Sequence, residues 1–261
     1  MLKIIRSGGF GFKLFSVGIL VAMHAVAGAQ VVSLGSAAPF AVLAGSKVAN
    51  AGLSGVTGDL GVNPGTAITG FSPGMVSGTI FSGGGVAAQA QSDLTTAYNG
   101  LASLAPDWDL TGQDLGGMTL TPGVYSFSSS AQLTGGLILD YQNDPSASFV
   151  FQIVSTLTTA SDASVFTING GTGDHVFWQV GSSATLGTGT DFRGNILALT
   201  SITLTTGADI LSGRALARNG AITMDTNEIA LPQAVPEPAS MAALALGGLA
   251  LLRRRKALSL A

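Results

Sequence analysis

Hydrophobic and polar residues alternate in short runs between residues 30 and 233, and Gly-rich segments separate these runs. Alternation with a period of two, in runs rich in Val, Ile and Thr, is typical of β-strands. Glycine suits the corners between them, where the backbone needs positive φ angles. The pattern therefore predicts a body that is mainly β.

A weak internal repeat organises this pattern in the second half of the chain. Its units read Thr-apolar-x-Thr-small-x-acid and begin at Thr156, Thr185, Thr203 and Thr223, at intervals of 29, 18 and 20 residues, with Asn227 in place of the small residue in the last unit. A second repeat relates residues 194–199 to 213–218 at a spacing of 19. A period of 18 to 20 fits a coil of three short strands, and stacked coils form a parallel β-solenoid with one continuous core. The longer first interval predicts an insertion, with residues 169–174 as its loop.

Residues 86–104 do not follow the β pattern. Apolar side chains recur there at helical spacing, and Pro106 closes the segment. The spacing predicts a single amphipathic helix along the flank of the solenoid, where it covers part of the core; a helix that binds a partner is the alternative. The apolar stripe consists of Val86, Ala90, Leu94, Ala97, Tyr98, Leu101 and Leu104.

The N-terminal segment has the parts of a secretory signal peptide. Lys3, Arg6 and Lys13 precede an apolar run over residues 14–26, and Ala-Gly-Ala at residues 27–29 provides small residues for cleavage before Gln30. We expect residues 1–29 to be removed on export; the alternative is an uncleaved membrane anchor.

The C-terminal segment, residues 234–261, combines three parts in order: Pro236, Glu237 and Pro238, a short apolar run over residues 239–252, and a basic end over residues 253–256 that includes Arg253, Arg254 and Arg255. This arrangement resembles the PEP-CTERM sorting signal. The resemblance implies a short transmembrane segment, transient anchoring in the inner membrane of a Gram-negative envelope and processing by an exosortase-type enzyme, with exopolysaccharide as a further candidate partner. A plain tail anchor is the alternative interpretation.

Charge and composition exclude several function classes for the body between these ends. It carries 13 acidic and four basic residues, a formal net charge of −9, so it lacks the basic stripe that binds nucleic acid. The chain contains no Cys, and His175 is the only His of the body, which excludes Cys/His zinc sites and most catalytic triads. We expect no enzymatic activity, no cofactor and no metal; a polysaccharide-active β-helix enzyme is the weakest of the alternatives.

Several stretches of the body are similar to the microbial ice-binding β-solenoid family, roughly over residues 32–230. This resemblance implies a right-handed solenoid of triangular section with one long helix alongside, and it implies an ice crystal surface as partner. The stretches that carry it are residues 34–45 (LGSAAPFAVLAG), 58–62 (GDLGV), 110–117 (LTGQDLGG), 121–125 (TPGVY) and 177–186 (FWQVGSSATL).

Ice binding requires a flat, rigid face, and threonine suits it because its χ1 angle is restricted and it offers both a methyl and a hydroxyl group. The family pattern Thr-(Ala/Gly)-x-(Thr/Asn) is matched here in its first two positions, whereas the fourth is Asp162, Asp191 and Asp209. These carboxylates would either bond backbone N–H groups at corners or stack as a calcium site, and we favour the corners. The candidate ice-binding residues are Thr156, Thr158, Thr159, Thr185, Thr188, Thr190, Thr203, Thr205, Thr206, Thr223 and Thr226.

These features predict an exported, non-enzymatic protein of the cell surface or extracellular space that binds ice through a Thr-rich β-face and restrains ice growth or recrystallisation. The alternative function is a structural or adhesive protein of the exopolysaccharide matrix. We expect Thr188 and Thr206 near the centre of the ice-binding array. The side that carries Asn195 and Arg214 is the alternative binding face.

Overall fold

The computed structural model describes residues 32–72 and 74–232. The predicted signal segment and sorting tail, with the predicted membrane segment 239–252, lie outside the described residues. The described part contains 22 β-strands, a 3₁₀ helix (Gly35–Ala37) and one α-helix, α1 (Gly84–Ala102). The strands are β1 (Phe40–Ala44), β2 (Lys47–Ala51), β3 (Gly55–Thr57), β4 (Asp59–Val62), β5 (Ala67–Thr69), β6 (Met75–Val76), β7 (Ile80–Ser82), β8 (Trp108–Asp109), β9 (Thr119–Leu120), β10 (Gly123–Phe127), β11 (Ala131–Leu133), β12 (Gly136–Asp140), β13 (Phe149–Ile153), β14 (Leu157–Thr159), β15 (Ser164–Ile168), β16 (Val176–Val180), β17 (Ala184–Leu186), β18 (Asp191–Ala198), β19 (Ile202–Leu204), β20 (Asp209–Ala217), β21 (Ile222–Asp225) and β22 (Glu228–Ala230).

All described strand pairs are parallel, as the repeat predicts, and they form three faces of a solenoid whose triangular section is the one that the family resemblance implies. The helix face consists of β8, β10, β13, β16, the C-terminal halves of β18 and β20, β1, β4 and β7. The threonine face is the separate sheet β11-β14-β17-β19-β21-β2-β5. The third face consists of β9, β12, β15, the N-terminal halves of β18 and β20, β22, β3 and β6.

The order of coils in space differs from their order in the chain. Strand β1 lies between β20 and β4, and β2 lies between β21 and β5, so the N-terminal coils stack on the last coil. Helix α1 then carries the chain back along the solenoid to the start of β8. Its 19 residues span about 28 Å at 1.5 Å per residue, which equals roughly six strand spacings.

A stack of aromatic rings occupies part of the core across four successive coils. The ring centroids of Trp108 and Tyr125 lie 4.9 Å apart, those of Tyr125 and Phe151 5.4 Å, and those of Phe151 and Trp178 3.9 Å, while Phe192 follows at 5.0 Å from Trp178. Because β8, β10, β13 and β16 each add one ring at the same register, the first four rings form a stack along the solenoid axis, and Phe192 contacts Trp178 from the third face.

Helix α1 packs on the helix face, as predicted for a core cover, but its limits and its buried side differ slightly from the prediction. Val86 is 53% exposed and Ala87 is buried instead, because at 3.6 residues per turn Ala87 lies nearer than Val86 to the centre of the buried stripe. Leu104 lies beyond the helix end and is partly buried. In the described residues no helix has the length and apolar character needed to cross a bilayer.

Candidate functional site

A straight row of outward side chains follows the middle of the threonine face. The strand register places one residue of each coil directly beside the next, at the spacing of about 4.8 Å between neighbouring strands. Four consecutive coils contribute threonine to this row, so it forms a regular ladder. In spatial order the row is Gln132, Thr158, Thr185, Thr203, Thr223, Ala49 and Thr69.

The four consecutive threonines, Thr158, Thr185, Thr203 and Thr223, define what we call the threonine ladder. Within the described part of the chain none of their hydroxyl groups is hydrogen-bonded to another protein group, although neighbouring hydroxyls at the margins of the face are. Thr158 and Thr223 are exposed, and the other two are half-buried between their neighbours. The ladder therefore offers regularly spaced methyl groups and hydroxyls that are available to water.

Mostly small residues flank the ladder on both sides, because side chains two positions away point to the same side of a strand. About 6.6 Å from the ladder, one margin consists of Ser130, Thr156, Ser183, Ser201, Ala221 and Lys47, and the other of Thr134, Ala160, Gly187, Thr205, Asp225 and Ala51. Apart from Lys47, these side chains are short, so few groups protrude from the face.

Hydrogen bonds between coils hold these margins in place. The Thr156 hydroxyl donates to the Ser130 hydroxyl at 2.8 Å, and the Thr205 hydroxyl donates to the Leu186 carbonyl oxygen at 2.8 Å. Restricted χ1 angles and these cross-coil bonds both favour a rigid array.

The predicted site residues lie in four places: the ladder, its margins, the outer side of a corner and the interior of that corner. Thr156 and Thr205 lie at the margins. Thr188, Thr206 and Thr226 lie at the corner between the threonine face and the third face, and Thr226 has a φ angle of 56°. The expectation that Thr188 and Thr206 occupy the centre of the array is thus wrong: Thr185 and Thr203 lie there.

Thr159 and Thr190 are buried inside that corner, at 4% and 0% exposure, and cannot contact an external surface. Their hydroxyl oxygens lie 2.8 Å apart, and the Gly187 N–H donates to the Thr159 hydroxyl oxygen at 2.8 Å. These two hydroxyls serve the corner itself. Sequence reasoning misplaced them because the corner changes which side of the chain faces outward.

The predicted repeat has the correct register in its later units. Thr185 pairs with Thr203, Thr203 pairs with Thr223, and Asn195 pairs with Arg214. The first interval is wrong by two residues, because Thr185 pairs with Thr158 and not with Thr156. The extra length of that interval lies between β15 and β16, where residues 169–175 connect the two strands and contain the predicted loop, residues 169–174.

The three aspartates at the fourth position of the motif do not lie on the threonine face and do not form a single stack. Asp162 adopts a positive φ angle of 56° at the corner, in the same place as Gly189 on the next coil. Asp191 and Asp209 are paired on the third face. In the described residues no group of three or more His, Cys, Asp or Glu side chains could hold a metal ion.

The Asp209 carboxylate accepts a hydrogen bond from a backbone N–H, as the corner hypothesis predicts, but the donor belongs to the neighbouring coil and not to the same corner. This donor is the Glu228 N–H, at 2.7 Å. Burial raises the pKa of Asp209, the Glu228 N–H lowers it, and the charge of Asp191 raises it further, with a net increase. Asp191 and Asp209 therefore belong to the third face and are turned away from the ladder.

The alternative face with Asn195 and Arg214 is not an open surface. Asn195 is fully buried and donates to the Asp174 and Val176 carbonyl oxygens at 2.8 and 3.1 Å. Arg214 donates to the Ala38 carbonyl oxygen at 2.9 Å and to the Asn195 side chain at 2.7 Å. Burial lowers the pKa of Arg214 to about 10, while Asp174 acts to raise it. This pair joins coils and cannot form a flat binding face.

Sequence reasoning missed the two ends of the central row. Gln132 precedes the first repeat unit, whereas Ala49 and Thr69 belong to N-terminal coils that do not share the Thr-apolar-x-Thr pattern. One signal in the sequence could have located the margin that precedes the ladder. Ser183 and Ser201 stand at equivalent positions, directly before β17 and β19.

Comparisons with known proteins match the body and the tail of the chain separately. The family described as ice-binding-like matches residues 42–230, and the PEP-CTERM protein-sorting motif matches residues 234–256. An ice-binding protein of Nostoc sp. (strain HG1) is 62% identical over 233 residues, 86% of each chain, and one of Flavobacterium frigoris (strain PS1) is 33% identical over 78% of each chain. The crystal structure of an ice-binding protein from an Antarctic biological consortium is similar with a TM-score of 0.77 and 48% identity, over 79% of this chain and 93% of that chain.

Proposed function

Since the chain belongs to the ice-binding-like family, we propose that it binds ice through the threonine face and restrains ice growth or recrystallisation. The observation that carries this proposal is the threonine ladder, with four hydroxyls in register and none hydrogen-bonded to another described protein group. The surrounding margins support it, because small side chains allow the whole face to approach a crystal plane together.

The sorting motif indicates export, and we infer that the tail anchors the protein transiently to the inner membrane before an exosortase-type enzyme processes it. The described residues place no charged cluster on the ladder that would favour a different ligand. Because the chain belongs to the ice-binding-like family, we expect a binding protein without enzymatic activity.

Replacement of Thr203 by Tyr tests the proposed face. Thr203 is central, and its side chain contributes little to the core, so the stability change should stay within about 0.5 kcal/mol. The protruding ring should separate the face from the crystal and abolish most thermal hysteresis and recrystallisation inhibition. Thr96→Tyr on the exposed side of α1 is the matched control and should keep full activity.

Two results would contradict the proposal. Full ice activity of Thr203→Tyr at an unchanged melting temperature would place the binding surface elsewhere. Absence of all ice activity in the wild-type protein would leave a matrix role as the remaining function.

A further inference from the structure

The described chain ends at the edge of the solenoid that lies opposite the threonine face. Each coil passes from the helix face to the threonine face and then to the third face, so the corner between the third face and the helix face is the opposite edge. Strand β22 ends on the third face, and Leu231 occupies this corner, where its N–H donates to the Thr57 carbonyl oxygen at 3.2 Å. A methyl group in place of a Gly58 hydrogen would clash with the Leu231 side chain, which shows how closely the two segments pack.

The other described end lies on the same side. The Pro39 carbonyl oxygen accepts the Asp59 N–H at 2.9 Å at that corner. Before it, Ser36 is fixed to α1, since its N–H and its hydroxyl donate to the Asp93 carboxylate at 2.8 and 2.7 Å. Both routes out of the solenoid therefore start on the side away from the ladder.

The connection from Pro232 to the apolar run of the tail is short. Six residues, 233–238, separate them, and six residues span at most about 20 Å when fully extended. An anchor at the end of so short a connection restricts which side of the body can face the membrane.

We propose that the corner around Leu231, together with the outer side of α1, is the membrane-facing side of the anchored protein, so that the threonine face is directed away from the membrane. This inference rests on the anchoring and the ice-binding face of the proposed function. It adds a defined orientation, in which the ladder is open to an ice crystal while the tail is still attached.

Site-selective labelling tests this orientation, because the chain contains no Cys and a single introduced Cys reports one position. The full chain is expressed in a Gram-negative host without an exosortase, and spheroplasts are treated with a polymer-linked maleimide too large to cross the membrane. The two variants are Thr158→Cys on the ladder and Ser92→Cys on the outer side of α1, both at exposed positions. Thr223→Cys and Thr96→Cys replace them if either fails to fold.

We expect Thr158→Cys to react several-fold faster than Ser92→Cys on spheroplasts, and the two to react at similar rates after extraction of the full chain in detergent. Equal rates on spheroplasts, or faster reaction of Ser92→Cys, would overturn the orientation, and so would recovery of the full chain in the soluble fraction. The ice affinity of the extracted wild-type protein is measured separately, so a failure of the proposed ice-binding function is distinguished from a wrong orientation.

Discussion

The two tryptophans of the chain occupy unequal positions in the aromatic stack, and this inequality can be measured. Trp178 is fully buried between Phe151 and Phe192, and its Nε1–H donates to the Arg193 carbonyl oxygen at 3.1 Å. Trp108 is 45% exposed at the end of the stack and contacts one ring. Replacement of each by Ala should therefore have different costs.

Trp178→Ala should cost about 3–5 kcal/mol for the lost burial and the cavity, and about 1 kcal/mol more for the unpaired carbonyl oxygen. Trp108→Ala removes a side chain that is already about half exposed to solvent, so the free energy of unfolding should fall by about 1–2 kcal/mol. At roughly 2–4 °C per kcal/mol for a domain of this size, the melting temperature should fall by about 10–20 °C for Trp178→Ala and about 3–6 °C for Trp108→Ala.

Thermal unfolding followed by circular dichroism measures both shifts. Each variant retains one tryptophan, so iodide quenching of fluorescence checks the positions independently: the emission of Trp108 should be quenched and that of Trp178 protected. Equal losses of stability for the two variants would refute the argument that the burial of each tryptophan sets the cost of its removal.

Two further predictions concern glycines at two corners of the solenoid and the acidic pair Asp191 and Asp209. Gly220→Ala should lower the free energy of unfolding by about 1–3 kcal/mol, because the added Cβ would lie 2.3 Å from a backbone oxygen of the neighbouring coil. Gly207 has a φ angle of 67° and open space around it, so Gly207→Ala should lower the free energy of unfolding by only about 1 kcal/mol. A larger loss of stability for Gly207→Ala than for Gly220→Ala in thermal unfolding would contradict this order. Folding raises the pKa of Asp209, so the wild-type protein loses stability as the pH rises through the pKa that Asp209 has in the folded state. Asp209→Asn should therefore stabilise the protein at pH 7. This advantage should disappear as the pH falls below about 4, where the carboxyl group is protonated in the folded and the unfolded protein. Melting temperatures of both proteins between pH 3 and pH 7 measure the difference, and a constant offset over that range would count against it.

Much of the fold could be predicted from sequence because its strongest signals are local. Period-2 alternation identifies strands, the 19-residue spacing fixes the pairing of Asn195 with Arg214, and the apolar stripe identifies α1. The position of the first coils could not be predicted. Residues 40–82 lack the Thr repeat, and nothing in their local pattern indicates that Val42 pairs with Ala215.

The candidate site was predictable only where the repeat is regular. Thr185, Thr203 and Thr223 follow from it directly. Which neighbouring threonines point outward depends on the residue count at each corner, since a shift of one residue moves a strand side chain to the opposite face. Thr159 lies just before such a corner, and its sequence pattern does not distinguish a buried from an exposed hydroxyl.

The stacking of the first coils on the last one has a consequence for how the chain folds. In a linear repeat protein each coil depends on its neighbours in sequence, so folding can spread from any point and a terminal coil can be lost alone. Here β1 and β2 gain their second neighbours only when β20 and β21 have been made, about 170 residues later. Completion of the solenoid therefore waits for the last coil before the tail. Deletion of β20–β22 would remove a coil from the interior of the stack and separate the two N-terminal coils from all the others.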